Sequence, residues 1–534
     1  MVIALPFFNK MKYILIFILF VFYVMSFLSS EHYFPWPTYE SEKFTFYAYI
    51  VFTLFFLFKN KKNIKFYLIN FLILLLLISS VFIFFIFFIF FIYDFKQYYY
   101  IFNLYLLNIF IFSIIISNYG FEKEYSIKFI VFALLFSGIV SAIFSIYQWL
   151  GLFKDSFWIG VSPSIRPFAN LAQPNHLATL LLLSLGSCLY FINRYKLYLF
   201  VFFIPLLIFS MILTQSRTVW LALLCMLIMV FIKWKVVNNK IKYIILSLIP
   251  MYVLFGCFIS QSDAGNFADR ATSGFLRLLM WEDFFQVLPH LSFLGVGWRN
   301  IEYYQFFYGD KSPEYLMSYH NILLDLIVLF GLPGFLLFFY IFFKLIYVFK
   351  EIKSTNDFLI FVMLFVLINH SLLEFPLFYN YFLMVFLVFL TFLFKSYNLN
   401  KNIFFINKNI FSCFVFFVLI LTFTYTQIFE KNRNYYRSVF LGKCVDNFEN
   451  SIFFDEFDNL SLINCEKNIL IENLPKFEAA LLERPAPRNI LKLVYVYHRL
   501  GEYHKRDDLL ARYNVKYFPK YALSEVLEIQ FFKY

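Results

Sequence analysis

Long apolar runs recur along most of this chain, and they constrain its fold more than any other feature. Thirteen can be read, at roughly 11–29, 44–58, 66–92, 101–117, 129–150, 175–192, 197–213, 217–232, 243–259, 321–343, 358–375, 377–394 and 410–427. Runs of this length cross the hydrocarbon core of a bilayer as helices. The expected fold is therefore all-α: a polytopic membrane protein of about thirteen transmembrane helices. Composition agrees, with 62% hydrophobic and 15% charged residues. The 83 Phe carry no functional reading, because the joint excess of Phe, Ile, Tyr, Asn and Lys fits an AT-rich genome.

A net charge of +12 invites a nucleic-acid partner, but its distribution argues against one. The basic residues sit in short clusters between apolar runs: Lys59, Lys61, Lys62 and Lys65; Arg194 and Lys196; Lys233, Lys235, Lys240 and Lys242; Lys344, Lys350 and Lys353; Lys395, Lys401 and Lys408. They occupy alternate loops, which is the positive-inside pattern and puts these loops, with Lys10 and Lys12, in the cytoplasm. The first run lacks a small-residue cleavage site and reads as a retained span. The exterior segments are then 30–43, 93–100, 151–174, 214–217, 260–320, the turn near Glu374, and everything after about 428. In a Gram-negative cell this exterior is the periplasm, and the protein sits in the inner membrane.

Two domains are expected: a transmembrane catalytic domain, 1–428, and a periplasmic helical tail, 429–534. The tail holds 15 of the 33 acidic residues and faces water. Pro485 and Pro487 precede a helical pattern, Gly501 breaks it, a second helix runs from Tyr503 to Tyr513, and Pro519 follows. That order resembles one tetratricopeptide unit or a plain helical hairpin. A single unit cannot bury its own apolar face, so it packs on the preceding tail or on the membrane domain. Cys188, Cys225, Cys257 and Cys413 lie in apolar runs as packing residues. Cys444 and Cys465 lie in the tail, where an oxidising compartment can join them, although spacing alone does not set the geometry. Metal-ligand Cys/His spacings, a P-loop, GxGxxG and GxSxG are all absent from the sequence.

Polar residues at a membrane surface are functional candidates. The loop 260–320 is far longer than a connector needs. It carries Arg270, Arg277, Trp281 and Arg299. Arg277 and Trp281 share a helix face, and a plain solvated face is the alternative. The loop ends at His320, a residue able to take a proton from a hydroxyl. Arg166, Asn170, Gln173, Asn175 and His176 directly precede a span, where Pro174 suits a helix start and free amides can bind an anion; capping is the alternative. Arg217, in Thr214-Gln-Ser-Arg217, suits a lipid phosphate or merely snorkels to headgroups. His370-Ser-Leu-Leu-Glu374-Phe-Pro-Leu-Phe-Tyr379 places a buried-looking Glu at an exterior turn, where it fixes a helix end or orients a base.

These blocks together resemble the bacterial protein O-oligosaccharyltransferases, the PglL-type pilin-glycosylating enzymes of the O-antigen ligase/polymerase superfamily. The landmarks are His32 with Pro35-Trp-Pro-Thr38, Tyr147-Gln-Trp149, Asn170-Leu-Ala-Gln-Pro-Asn-His176, Ser216-Arg-Thr-Val-Trp220, Arg277 to Trp281, Gly295-Val-Gly-Trp298, His320-Asn321, Gly331-Leu-Pro-Gly334, His370 to Leu377, and Arg484-Pro485 through Pro519. One departure stands out. Many relatives carry His-x-His-Asn, whereas this chain reads Ser318-Tyr-His-Asn321.

The resemblance implies a GT-C-like glycosyltransferase that moves a glycan en bloc from undecaprenyl-pyrophosphate to a Ser or Thr hydroxyl of an exported protein, often a pilin. It marks His320 as catalytic base. Arg217, Arg166 and Arg277 would bind the donor pyrophosphate, and Gln173, His176, Tyr379 and Glu374 would position substrates. Transfer would be direct and inverting. No metal and no cofactor are expected, since arginines can neutralise the leaving group. Membrane lipids and an acceptor protein are the expected partners, and nucleic acid is not. An O-antigen ligase with a lipid A-core acceptor, or a Wzy-type polymerase, are the alternatives within the superfamily. A lipid-linked glycan transporter without chemistry, or a scaffold, ranks below them.

Overall fold

The computed structural model describes residues 4–32, 37–57, 63–90, 96–119, 123–152, 158–160, 166–259, 267–298, 300–444 and 461–532. Pro35, Trp36 and Arg299 lie outside the described residues, as do the side chains of Lys10, Lys12 and Arg270.

Each of the thirteen apolar runs coincides with a helix. They are α1 (Ala4–Leu28), α2 (Tyr39–Leu57), α3 (Leu68–Phe90), α4 (Lys96–Tyr119), α5 (Lys123–Trp149), α6 (Pro174–Tyr195), α7 (Phe203–Thr214), α8 (Arg217–Ile232) and α9 (Asn239–Ile259), then α12 (Ile322–Glu351), α13 (Thr355–Ser371), α14 (Asn380–Ser396) and α15 (Lys408–Phe440). Five helical stretches among the described residues are long and apolar enough to cross a membrane, by length and composition. The 22 residues of α6 span about 33 Å at the helical rise, which matches a bilayer core. The chain is a membrane protein. The described part of the long loop contains two helices, α10 (Phe267–Val287), which carries the Arg277–Trp281 face, and α11 (Asn300–Tyr308).

The expected all-α fold needs one addition. Strand β1 (Asn63–Tyr67) pairs antiparallel with β2 (Asn402–Asn407), and Phe66 stacks on Phe404 with centroids 4.4 Å apart. Both strands lie in loops assigned to the same side by their lysines, so pairing satisfies backbone groups the helices leave open.

The chain divides into two compact units: 1–70 with 111–266 and 340–419, and 71–110 with 267–339 and 420–534. In the first unit, α6 is the hub, buried from His176 to Ile192, with α5, α7 and α13 packed around it. In the second, α10 and α11 pack with the tail helices α16 (Leu474–Glu483), α17 (Pro487–Leu500) and α18 (Tyr503–Lys516) and a last short helix, α19 (Leu523–Glu528). Gly501 ends α17 with φ of 80°, as a helix C-terminus favours. The apolar face that one hairpin cannot bury alone is covered by α16, Ile463 and, from the loop, Phe306. Cys444 and Cys465 form a disulfide, which settles the pairing left open by spacing.

The two glycine blocks of this unit explain each other. Helix α12 breaks at Gly331, whose φ is 58°. At the break its backbone pairs with the turn before α11: Val296 N–H donates to Val328 O, Gly297 N–H to Leu329 O, and Leu332 N–H to Phe293 O. A Cβ on Gly331 would collide with the Phe293 carbonyl, and one on Gly295 would sit 2.6 Å from Leu329 C and Phe330 N.

Candidate active site

In the first unit the loop before α6 is held by buried amides. Gln148 at the end of α5 uses both ends of its side chain: Nε2 donates to the Gly160 and Ala169 carbonyls, and Oε1 accepts from the Phe168 and Ala169 amides. Asn170, fully buried, donates to the Leu28 and Trp158 carbonyls and accepts from the Gly160 amide. His32 faces the carbonyls of Pro37 and Asn170. Burial holds its pKa below the ordinary value, and the two carbonyls partly offset that. The backbone turns at Ala169 and Ala172, both at positive φ, and α6 then starts at Pro174, whose missing N–H costs nothing at a first helical position.

This loop delivers its side chains to the end of α13. His370 and Glu374 are one turn apart and both buried. The Glu374 carboxylate accepts from Gln173 Nε2 at 2.9 Å, from Asn175 Nδ2, and from His370 Nε2 at 3.2 Å. Thr179 Oγ1 lies 2.7 Å from His370 Nδ1. One neutral tautomer satisfies both contacts, with Nε2–H donating to Glu374 and Nδ1 accepting from Thr179.

Arg166 reaches the same cluster. Its Nη2 donates to Asn175 Oδ1 at 3.2 Å and its Nε to the Thr214 carbonyl at 2.8 Å. Thr214 closes α7, and Arg217, exposed, opens α8 three residues later. Asn369 on α13 donates to the Thr218 carbonyl, tying that turn to the cluster. His176 is enclosed: Tyr379 packs edge-on at 4.6 Å between centroids, and Tyr381 Oη lies 3.3 Å from Nδ1. Glu42, one turn into α2, accepts from the backbone and side chain of Asn380, beside Tyr379. The structure therefore brings Arg166, Gln173, His176, Glu374 and Tyr379 together, with Arg217 at the adjoining turn.

His176, His370 and Glu374 each offer one ligand atom, all within 4.8 Å of one another, the one such group among the described residues. Two imidazoles and a carboxylate suit a transition metal better than Mg²⁺. Gln173, Asn175 and Thr179 also engage Glu374 and His370 in hydrogen bonds.

His320 and Arg277 lie in the second unit. Asp325, in the first turn of α12, accepts from Ser318 Oγ at 2.6 Å and from the Tyr319 amide at 2.7 Å. Ser318 Oγ in turn accepts from the His320 amide at 2.9 Å. Asn321 Oδ1 caps α12 through the Leu323 amide. His320 is held half-buried with φ of 53°, a conformation disfavoured for a non-glycine residue. Trp281 Nε1 donates to the Tyr319 carbonyl at 3.1 Å, and Arg277 is half-buried one turn before it on α10. Ser318 is thus a backbone anchor for His320.

The O-antigen ligase family matches residues 199–339 of this chain. The C-terminal region of the virulence factor membrane-bound polymerases matches residues 358–528, and the protein glycosylation ligase family matches residues 167–190, the loop and start of α6 just described. The chain is 28% identical over 258 residues to the ComP-specific O-oligosaccharyltransferase of Acinetobacter baylyi, covering 46% of this chain and 47% of that protein. It is 28% identical over 290 residues to the General O-oligosaccharyltransferase of the same organism, covering 50% and 51%. The match thus spans about half the length of these curated relatives. The resemblance read from the motifs is borne out.

Sequence reasoning missed Asp325, Thr179 and Glu42. Asp325 carried a usable signal, an acidic residue inside an apolar run. Gln148 sat in a quoted block without a role.

Proposed function

We propose that this protein is a glycosyltransferase of the bacterial inner membrane that transfers an oligosaccharide from a polyprenyl-pyrophosphate carrier, undecaprenyl in type, to a Ser or Thr hydroxyl of an exported, pilin-like protein. The observation that carries the reading is the Arg166–Asn175–Glu374–Gln173 cluster, built on the segment that matches the protein glycosylation ligases. The names of the Acinetobacter relatives support the same activity. The Cys444–Cys465 disulfide supports an oxidising, periplasmic location for the tail.

His320 acts as general base. It takes the acceptor hydroxyl proton as the oxygen attacks the anomeric carbon. The bond from that carbon to the pyrophosphate oxygen breaks, and the electron pair leaves with the pyrophosphate. Arg217, with Arg166 and Arg277, neutralises the developing charge. In-line attack inverts the anomeric centre. Gln173, His176 and Tyr379 line the donor or acceptor path, and Glu374 fixes Gln173 and Asn175. No metal or cofactor enters this scheme.

The test is glycosylation in cells that supply a lipid-linked glycan and a pilin from the same organism, read by intact-protein mass. The wild type adds a glycan-sized increment. His320→Ala at equal membrane level loses it by about 10²–10⁴-fold, the range of a general base. An increment that survives in the mutant removes His320 from the chemistry. The matches over 199–339 and 358–528 favour a ligase or polymerase as the second reading. An unmodified pilin with altered lipopolysaccharide in the deletion strain would select it.

A further inference from the structure

The tail and the loop that carries His320 meet in a buried ion pair. Lys516, the last residue of α18, places Nζ 2.8 Å from Asp283 Oδ2 on α10, with both side chains fully buried. Asp283 does more than pair with Lys516. It accepts the amides of Lys311 at 2.7 Å and Ser312 at 3.2 Å, and Nε2 of Gln305 at 2.9 Å. One turn earlier on α18, Arg512 donates to the Phe306 carbonyl at 2.6 Å and the Gly309 carbonyl at 2.7 Å. Helix α10 therefore grips the segment leading to His320 at two places: through Asp283 at Lys311 and Ser312, and through Trp281 at Tyr319.

A solvated tail would not need such a contact. A buried pair is weak evidence for stability, since its desolvation offsets much of the attraction. Burial lowers the Lys516 pKa, and Asp283 opposes that shift. What such a pair supplies best is a single register. The register here is that of residues 309–320, whose last member is held at a strained φ.

We propose that Lys516 and Asp283 are positioning residues: the C-terminal tail clamps α10 and the following loop so that His320 is presented in one geometry. The tail is then part of the catalytic apparatus, and not only a docking arm for the acceptor. This rests on His320 being the base.

The experiment is hydrogen exchange by mass spectrometry on the full chain in nanodiscs, paired with the cellular glycosylation assay. In Lys516→Met, peptides covering 309–321 exchange at least about tenfold faster while α17 keeps its protection, and glycosylation falls by at least about tenfold. Lys516→Arg, which keeps the charge, recovers both. Unchanged exchange over 309–321 in Lys516→Met overturns the clamp, and so does full glycosylation by that variant. If Lys516→Met does not reach the membrane, Asp283→Asn, which removes the charge and keeps one of the two acceptor oxygens, is read by the same criteria. The His320→Ala variant separates the two readings. Activity retained there removes the base, whereas an inactive His320→Ala beside an active Lys516→Met removes only the clamp.

Discussion

Two buried carboxylates, one in each unit, are held by different sets of partners. Glu374 is met by the side-chain amides of Gln173 and Asn175 and by the His370 imidazole, with Arg166 bonded to Asn175 in turn. Asp283 is met by the Lys516 ammonium, two backbone amides and the Gln305 side-chain amide. An acceptor held by side-chain amides can exchange those partners at modest cost. One paired to a buried ammonium cannot, because either charge left alone is strongly disfavoured. The first arrangement suits a site through which substrates pass, and the second suits a fixed joint.

The comparison can be broken by removing each carboxylate. Asp283→Ala leaves Lys516 charged and buried and is expected to cost about 3–5 kcal/mol. Thermal unfolding of the purified protein, followed on tail peptides, checks this; a cost under about 1 kcal/mol would mean that water reaches the pair. Glu374→Leu leaves the Gln173 and Asn175 amides without this acceptor and should cost less, about 1–3 kcal/mol. If it costs more than Asp283→Ala, the contrast between the two nodes fails.

Smaller effects sharpen the picture. Ser318→Ala removes the hydroxyl that joins the His320 amide to Asp325. The expected stability loss is about 1–2 kcal/mol, with faster exchange at His320. Lys492 offers a pH handle in the tail. Burial pulls its pKa down from 10.5 to about 7, with Arg488 adding to the shift. Between those values the unfolded chain binds the proton and the folded tail does not. The penalty is therefore full below about pH 7 and is relieved as pH rises toward 10.5, at up to about 1.4 kcal/mol per pH unit. The difference in melting temperature between wild type and Lys492→Met should shift in favour of the wild type from pH 7 to pH 9. A difference independent of pH would show that Lys492 keeps an ordinary pKa.

Much of this protein was legible locally. Apolar runs set the helices because helices satisfy their own backbone in lipid. The i, i+4 spacing of Arg277 and Trp281 marked α10, Pro174 marked the start of α6, and Gly501 marked the tail turn. Candidate residues stood out as polar groups beside apolar runs, and the family resemblance followed from their order. The partners of those residues were not legible. Gln173 and Glu374 are separated by 201 positions, Asp283 and Lys516 by 233, and no local pattern encodes which distant donor completes a buried carboxylate. The strands β1 and β2 escaped for the same reason, since a five-residue strand has meaning only beside its partner. The sequence by itself determined the helices, the membrane setting and the residues available for chemistry, because hydrophobic periodicity and backbone propensity act over a few neighbouring residues. The tertiary structure alone decided that Glu374 organises the Gln-Pro-Asn-His block, that the two glycine blocks pair, and that Lys516 holds the loop of His320. Those outcomes depend on which buried polar groups find one another once the chain has packed.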